Sequence, residues 1–405
     1  MNNISDISQT KCTGCGACSA ICPVSAVNLE LNVTGFLEAS IQPDLCISCG
    51  KCKQVCIKYQ DDNNISKLTD GEMYSVISND KDVLESCTSG GIAHEIAAYG
   101  ITKGYKIIGV AYNYDKNRAE AVMIENLKDL EKLKGSKYIQ ANTMPCYRNL
   151  LDRAEVYLNE RYIVFGTPCQ IYGIKKAFTE RKLDDRVVAI DLFCHGVPSN
   201  LLWRKYLQWL ELKEKIVTIT QVKFRSKKAG WHDFTMEIKS GKTLYSRSSE
   251  YDLFYKAFFD NVMLNPACFK CNVRKNVTMA DLRLGDFWGK RYQNNDTGVS
   301  AVLVLSEKGG VFLEELKKHG KVSQIEKVSV EECVTNQSVH DYCFQDISEY
   351  ALSLLQSDKE LDEIIKLYRR KMPFKYNLKL YLKEATAYMP DKFRKKIRNI
   401  YQNLR

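Results

Sequence analysis

The chain has no apolar run approaching the roughly 18 residues that suggest a membrane-spanning helix, and its opening stretch, Met1 to Thr10, is polar. The first absence argues against a helical span. The second leaves no hydrophobic leader in these residues, so a reducing cytoplasm is the expected home. Charge of one sign is also scarce: 59 Lys and Arg against 49 Asp and Glu give +10 over 405 residues. With no RNP-type aromatic motif beside that modest excess, nucleic acid is not an expected partner, and the basic surface suits an acidic electron carrier equally well. What the chain does have is cysteine, sixteen in all. In a short secreted chain such a number would suggest disulfides; here it suggests metal. At 45% hydrophobic residues the chain can bury one substantial core and a satellite, so two or three domains are expected.

Eight of the cysteines fall in two runs. Cys12, Cys15, Cys18 and Cys22 stand as C-x2-C-x2-C-x3-C followed by Pro23, and Cys46, Cys49, Cys52 and Cys56 repeat the spacing with Ile57 in the proline's place. This is the bacterial ferredoxin pattern, in which the fourth cysteine of each run serves the other cluster. The expected sets are therefore Cys12, Cys15, Cys18 and Cys56 for one [4Fe-4S] cluster and Cys46, Cys49, Cys52 and Cys22 for the other. A zinc ribbon is the alternative, but it uses two cysteines per knuckle and has no need for the third and fourth. So short a unit has little apolar core, which couples its folding to metal binding. Gly14, Gly16 and Gly50 would let the backbone wrap closely and aim amides at sulfur.

Asp61 to Gly71 is polar and reads as a linker. Beyond it come a strand at Tyr74 to Ser78, the string Cys87-Thr88-Ser89-Gly90-Gly91, and a helix through Ile92, Ile96 and Tyr99 that Thr88 or Ser89 could cap. The two glycines either leave amides open to an anion such as a flavin phosphate or serve close packing. Lys106 to Tyr112 reads as a strand, with Leu127 to Leu133 and Asn149 to Leu158 as helices. Between those helices, Lys134-Gly135-Ser136-Lys137-Tyr138 could hold a phosphate or be an exposed basic turn.

Two strands then end in cysteine. Arg161 to Phe165 leads into Gly166-Thr167-Pro168-Cys169 and a helix through Gln170, Ile174 and Phe178. Arg186 to Phe193 leads into Cys194-His195-Gly196-Val197-Pro198-Ser199 and the helix Leu201 to Leu212. Carboxyl ends of strands are where open α/β sheets carry their sites. With the pair Cys268-x2-Cys271, these thiols make a candidate third cluster, although each of Cys169 and Cys194 alone could be a buried small hydrophobe. His195 could donate a proton at a cofactor's edge or simply belong to a turn. Val217 to Arg225 and Thr235 to Lys239 are strands, the latter hairpinned through Gly241, and Tyr251 to Phe259 is an aromatic helix. Asp281 to Gly289 runs from a strand into a turn, where Phe287 and Trp288 could cover a ring. From Tyr368 the chain turns basic, with Phe393, Ile397, Ile400 and Leu404 at helical spacing among Lys392, Arg394, Lys395, Lys396 and Arg398. Such a helix can lie on an anionic membrane surface or dock on protein.

Taken in order, Cys87-Thr-Ser-Gly-Gly, Gly135-Ser-Lys-Tyr, Phe165-Gly-Thr-Pro-Cys-Gln, Cys194-His-Gly-Val-Pro-Ser, Phe224-Arg-Ser-Lys with Gly230-Trp, Cys268-x2-Cys271 and Gly285-Asp-Phe-Trp-Gly resemble the family of coenzyme F-420 hydrogenase/dehydrogenase beta subunits. The likeness covers roughly residues 1 to 310 and includes a similarity to bacterial members with a fused two-cluster ferredoxin unit. It implies FAD on the α/β domain, a [4Fe-4S] cluster nearby and a ferredoxin unit feeding electrons. By the same likeness Ser89, Gly90, Gly91, Gly135, Ser136 and Asp286 lie with the flavin, and Lys137, His195 and Trp288 on the substrate side. The implied partners are an electron carrier such as ferredoxin or a redox subunit, and a small-molecule substrate that the family does not define. The family holds both users and non-users of coenzyme F-420. Cys87 stands where many relatives have serine, and Ala267 where a serine usually precedes the knuckle.

The expected architecture is α+β or α/β: a small bacterial-ferredoxin-like domain, a larger mixed α/β flavin-binding domain and a helical basic C-terminal tail. The divisions are 1–60 for the ferredoxin unit, 61–72 for the linker, 73–160 and 161–335 for the two parts of the beta subunit region, the second holding the third cluster, and 336–405 for the helical extension. The expected location is cytoplasmic, with peripheral contact at the inner membrane face through the basic helix.

Overall fold

The computed structural model describes residues 2–7, 12–59, 66–277, 279–334, 336–378 and 380. Its strands are β1 (Val27–Leu31), β2 (Leu37–Ile41), β3 (Glu72–Ser78), β4 (Tyr105–Asn113), β5 (Arg118–Ile124), β6 (Ala141–Asn142), β7 (Arg161–Phe165), β8 (Val187–Leu192), β9 (Gln221–Ser226), β10 (Thr235–Ser240), β11 (Thr243–Ser248), β12 (Leu282–Asp286), β13 (Ser300–Val304) and β14 (Val322–Val328). Nine of them form one mixed sheet in the order β14-β3-β13-β12-β8-β7-β4-β5-β6. At its centre β12, β8, β7 and β4 run parallel. These strands are apolar because both faces are covered: Tyr162 to Val164 and Val187 to Ile190 are buried throughout. The sheet takes strands from both 73–160 and 161–335. Expected strands at Tyr74, Lys106, Arg161 and Arg186 are found within a residue or two, while β5 carries too weak an alternation to be read from sequence.

Each cysteine-ended strand feeds a helix. After β7, Thr167 and Gln170 form a capping box around Pro168 to start the helix Pro168–Glu180, the Thr167 amide donating to Gln170 Oε1 at 2.9 Å. After β8, the Ser199 hydroxyl accepts from the Leu201 amide at 3.0 Å and opens the helix Asn200–Glu214. The cap proposed for the helix Ile92–Thr102 is corrected. Gly91 occupies that position at φ +84° with no side-chain cap, and the Ser89 hydroxyl instead donates to the Val299 carbonyl at 2.8 Å.

A three-stranded antiparallel sheet, β11-β10-β9, and the hairpin β1-β2 complete the strands. Beyond residue 336 the helices Gln345–Leu355 and Leu361–Arg369 pack on the aromatic core around Trp203, Tyr206 and Phe254. Tyr368 and Arg369 fix the last of these, each donating to buried Asp260 at 2.7 Å. The basic amphipathic stretch from Lys392 to Leu404 lies outside the described residues. No described helix is long and apolar enough to cross a membrane.

Candidate redox site

In the ferredoxin-like unit, Cys12, Cys15, Cys18 and Cys56 line one cavity of about 20 Å³, with Ile4, Leu29 and Ala39 among its walls. The thiols of Cys22, Cys46, Cys49 and Cys52 do not line it. Cys56 of the second run thus lines the same cavity as three cysteines of the first. Gly14, Gly16 and Gly50 adopt positive φ, and backbone amides reach sulfur: those of Ala39 and Gly14 face Cys12, and that of Ala17 faces Cys15. Burial and mutual repulsion push the Cys15 thiol up to about 12 and Cys18 well above its ordinary value; burial alone is the main cause for Cys56, at about 11. Thiols so placed ionise only against a cation that replaces their protons. The other set is nearer the surface. Cys49 is exposed, and the Ser48 amide with the Asn3 side chain, 3.3 Å from Cys46 Sγ, holds the Cys46 thiol below its usual value.

Cys169, Cys194, Cys268 and Cys271 come together from the ends of β7 and β8 and from the knuckle. The charges of Cys194 and Cys271 are both felt at Cys268, and those of Cys169 and Cys271 at Cys194. Burial is the first cause that raises Cys169 and Cys194 to about 12 and pushes Cys268 up. The amides of Gly196 and Val197 face Cys194 and Cys268, and the Thr167 hydroxyl lies 3.3 Å from Cys169 Sγ. Among the described residues no three His, Cys, Asp or Glu side chains form a group that could hold a metal ion directly. The space that the inner set lines is the small cavity already described.

These two thiol sets adjoin. The Thr13 hydroxyl faces both Cys15 and Cys169. Gln140 fixes the same junction, accepting from the Leu37 amide at 2.7 Å and donating to the Thr13 carbonyl at 3.3 Å. Thr143 donates to the Cys15 carbonyl at 2.8 Å, and Arg148 to the Ser19 carbonyl at 2.7 Å and the Ser25 hydroxyl at 2.8 Å.

A second gathering lies among loops at one end of the sheet. The Ser136 amide donates to Thr88 Oγ1 at 3.1 Å, joining the two glycine-bearing strings. Lys227 Nζ donates to the carbonyls of Leu84, Ser89 and Thr297 at 2.6, 2.7 and 2.5 Å. Arg225 pairs with Asp286 at 2.5 Å and lies over the rings of Phe234 and Trp288 at 4.7 and 5.2 Å. Asp286 also accepts from Trp231 Nε1 at 2.8 Å, and Trp231 stacks on Trp288 at 4.9 Å. Ser89, Ser136, Asp286 and Trp288 thus collect around Arg225 and Lys227, two residues of the Phe224-Arg-Ser-Lys string to which the sequence assigned no role.

Two observations there leave room for a ligand. Among the described residues, buried Arg225 Nε and Nη2 have no hydrogen-bond partner. Gly135 sits at φ +78° with none of the described residues within 4 Å of where a β-carbon would stand. Gly90 is different: a β-carbon there would meet the Val76 carbonyl at 2.4 Å and the Ser300 amide at 2.5 Å, so its bareness serves packing against β3 and β13.

The remaining sequence candidates turn inward. Lys137 Nζ donates to the carbonyls of Lys132, Leu133 and Lys134 at 3.3, 3.0 and 3.0 Å, closing the end of the short 3-10 helix Lys128–Leu133, and burial pushes its ammonium down to about 7. His195 Nε2 lies 2.6 Å from Asn261 Oδ1 and Nδ1 2.8 Å from the Ser338 hydroxyl. Nε2 therefore carries the proton, and burial lowers the ring to about 4. Its ring lies 4.8 Å from that of Phe258, which lies 5.3 Å from that of Tyr138. Asn261 and Ser338 gave no signal in the sequence, being 66 and 143 positions away from His195.

Comparison with known proteins places names on both regions. Residues 159–329 match the family described as the C terminus of the coenzyme F420 hydrogenase/dehydrogenase beta subunit, and residues 11–58 match a 4Fe-4S dicluster domain. The chain is similar to the F subunit of the F(420)H(2) dehydrogenase of Methanosarcina mazei, with 24% identity over 46% of this chain and 54% of that one. It is also similar to the coenzyme F420-dependent sulfite reductase of Methanocaldococcus jannaschii, with 26% identity over 78% of this chain and 48% of that one. The chain spans about half the length of these two relatives. A chain of the F420-reducing [NiFe] hydrogenase complex from Methanosarcina barkeri aligns with 18% identity and a TM-score of 0.47 over 77% of this chain and 94% of that one.

Proposed function

We propose, for this member of the family of coenzyme F420 hydrogenase/dehydrogenase beta subunits with its own 4Fe-4S dicluster domain, the role of an iron–sulfur flavoprotein oxidoreductase that passes electrons between ferredoxin-type clusters and FAD. Cys12, Cys15, Cys18 and Cys56 hold the inner cluster, and Cys22, Cys46, Cys49 and Cys52 the outer one. Cys169, Cys194, Cys268 and Cys271 hold a third. The donor chemistry fits: buried thiols crowded together, amides aimed at sulfur and a cavity walled by four of them suit a soft, multi-iron core. FAD belongs at the loops of Ser89, Gly90, Gly91, Gly135, Ser136 and Asp286, where the open side of Gly135 and the unpartnered donors of Arg225 leave it room and contacts. When bound, the clusters supply one-electron transfer and FAD couples it to two-electron chemistry.

The chain's own part is to dry the thiol frames, neutralise them with amides and set them side by side. Trp288, beside Asp286, is the substrate-side residue. Lys137 and His195 commit their polar atoms to internal partners, so their part there is to hold the Tyr138 loop and the Cys194 turn. One observation supports the reading above all: the Thr13 hydroxyl faces thiols of two different sets, which favours reading those sets as one chain of centres. The test is anaerobic purification followed by iron and flavin assay of the wild type and Cys169→Ala. The variant loses about four iron atoms; unchanged iron removes Cys169 from the assignment.

The two-electron partner is a small molecule, and coenzyme F420, present in the names of both relatives, is the first to try. A second reading, an electron-transfer subunit of a larger complex, is favoured by the relative that is itself a subunit. Iron without flavin would select it, and stoichiometric zinc without iron would exclude both. An electron carrier such as ferredoxin docks at exposed Cys49 in either case. Peripheral membrane contact through the stretch after Met389 is tested by liposome binding with and without it; equal binding ends that idea.

A further inference from the structure

The helix Pro168–Glu180 carries Cys169 in its first turn and Gly173 one turn later on the same face. Against that face lies the ferredoxin unit's helix Ala17–Ile21, whose first residue is wholly buried. A β-carbon at Gly173 would fall 2.5 Å from Ala17 Cβ, 3.5 Å from Cys15 Sγ and 3.6 Å from the Val55 carbonyl oxygen. The first distance is far inside contact, the others ordinary contact. Gly173 has helical backbone angles, so no turn requires glycine there, and inside a helix glycine is less favourable than alanine. What its bareness provides is close approach of the two helices at a place where Cys15 of the inner set faces Cys169 of the third. Gln140, Thr143 and Arg148 grip the ferredoxin unit around this point, donating to the carbonyls of Thr13, Cys15 and Ser19.

We propose that Gly173 is the positioning residue that sets the spacing between the inner and third clusters, so that the ferredoxin unit is a fixed relay and not a mobile arm. The proposal rests on the reading that both thiol sets hold clusters. Gly173→Ala wedges the helices apart at Ala17. Removing the opposing methyl with Ala17→Gly restores the space, since the other two contacts are already of ordinary length.

The experiment is electron paramagnetic resonance on the fully reduced, iron-loaded full-length protein, reading the spin–spin interaction between neighbouring clusters. Wild type shows the interaction, Gly173→Ala loses or weakens it at unchanged iron content, and Ala17→Gly with Gly173→Ala recovers it. An unchanged interaction in Gly173→Ala overturns the proposal. If Gly173→Ala fails to load iron, recovery of loading and interaction by the double variant supports the proposal and failure to recover counts against it. A wild type whose iron and spectra show no third centre would instead overturn the underlying functional reading, an outcome readily told apart.

Discussion

Arg283 grips Asp191 by both carboxylate oxygens, Nε to Oδ1 at 2.7 Å and Nη2 to Oδ2 at 2.6 Å, with neither side chain open to solvent. The same guanidinium donates to the carbonyls of Val273 and Arg274 at 3.0 and 3.4 Å. It thereby ties the turn after Cys271 to β8, which ends just before Cys194. The pair is the joint between the knuckle and the sheet.

Replacing Arg283 with Met leaves Asp191 buried and alone, and removing one partner of a buried pair costs about 3–5 kcal/mol. Urea unfolding under anaerobic conditions should show that loss, together with about four fewer iron atoms if the third set binds a cluster. Adding Asp191→Leu to Arg283→Met should recover most of the stability. A single variant within about 0.5 kcal/mol of wild type would deny the joint its importance.

The crossing of the two cysteine runs makes a sharper claim about Cys56. Because it lines the cavity of Cys12, Cys15 and Cys18, Cys56→Ala and Cys12→Ala should abolish the same spectroscopic centre, whereas Cys22→Ala and Cys49→Ala should abolish the other. Spectra in which Cys56→Ala matches Cys49→Ala would break the assignment.

How much of this could be read from residues alone depends on how far apart the partners lie. The ferredoxin runs and the two strand–cysteine–helix units are local, with every signal inside a dozen residues, and the structure has them where the spacing put them. Thr167 with Gln170 and Ser199 with Leu201 are likewise short-range. Thr88 and Ser89 looked like caps by the same local logic, yet Ser89 bonds Val299, 210 positions on. Lys137 looked exposed because its neighbours are small and polar, but its ammonium folds back on the preceding turn. Arg283 with Asp191 is separated by 92 positions, and the contact of Ala17 with Gly173 joins separate units. No periodicity announces such contacts; they exist only once the sheet has brought the chain ends of β7, β8 and β12 together.

Thr13 gives a test of the junction that leaves the thiols untouched. Its hydroxyl faces both Cys15 and Cys169 and can give its one proton to either, and donors to sulfur favour the reduced, more negative cluster. Thr13→Val should lower the reduction potentials of two centres, and Thr13→Ser should keep both near wild type. A shift confined to one centre, seen in an anaerobic redox titration, would mean that the hydroxyl is not shared.

Lys137 should leave a signature in the pH dependence of stability. Burial holds its folded pKa at about 7, against about 10.4 in an unfolded chain. Between these values the unfolded state binds more protons, so stability rises with pH; below about 7 the cost of the buried charge is fully present. Unfolding free energies from pH 6 to 10 should therefore climb more steeply in wild type than in Lys137→Met. Parallel curves would show that the ammonium titrates as an ordinary lysine.

The most direct measurement is the iron, sulfide and flavin content of the full-length protein purified without oxygen. Three cluster sites and one flavin site predict about twelve iron and about twelve sulfide per chain, with FAD released on denaturation. One or two zinc ions with no iron, or iron that does not fall when Cys169 is replaced, would contradict the account.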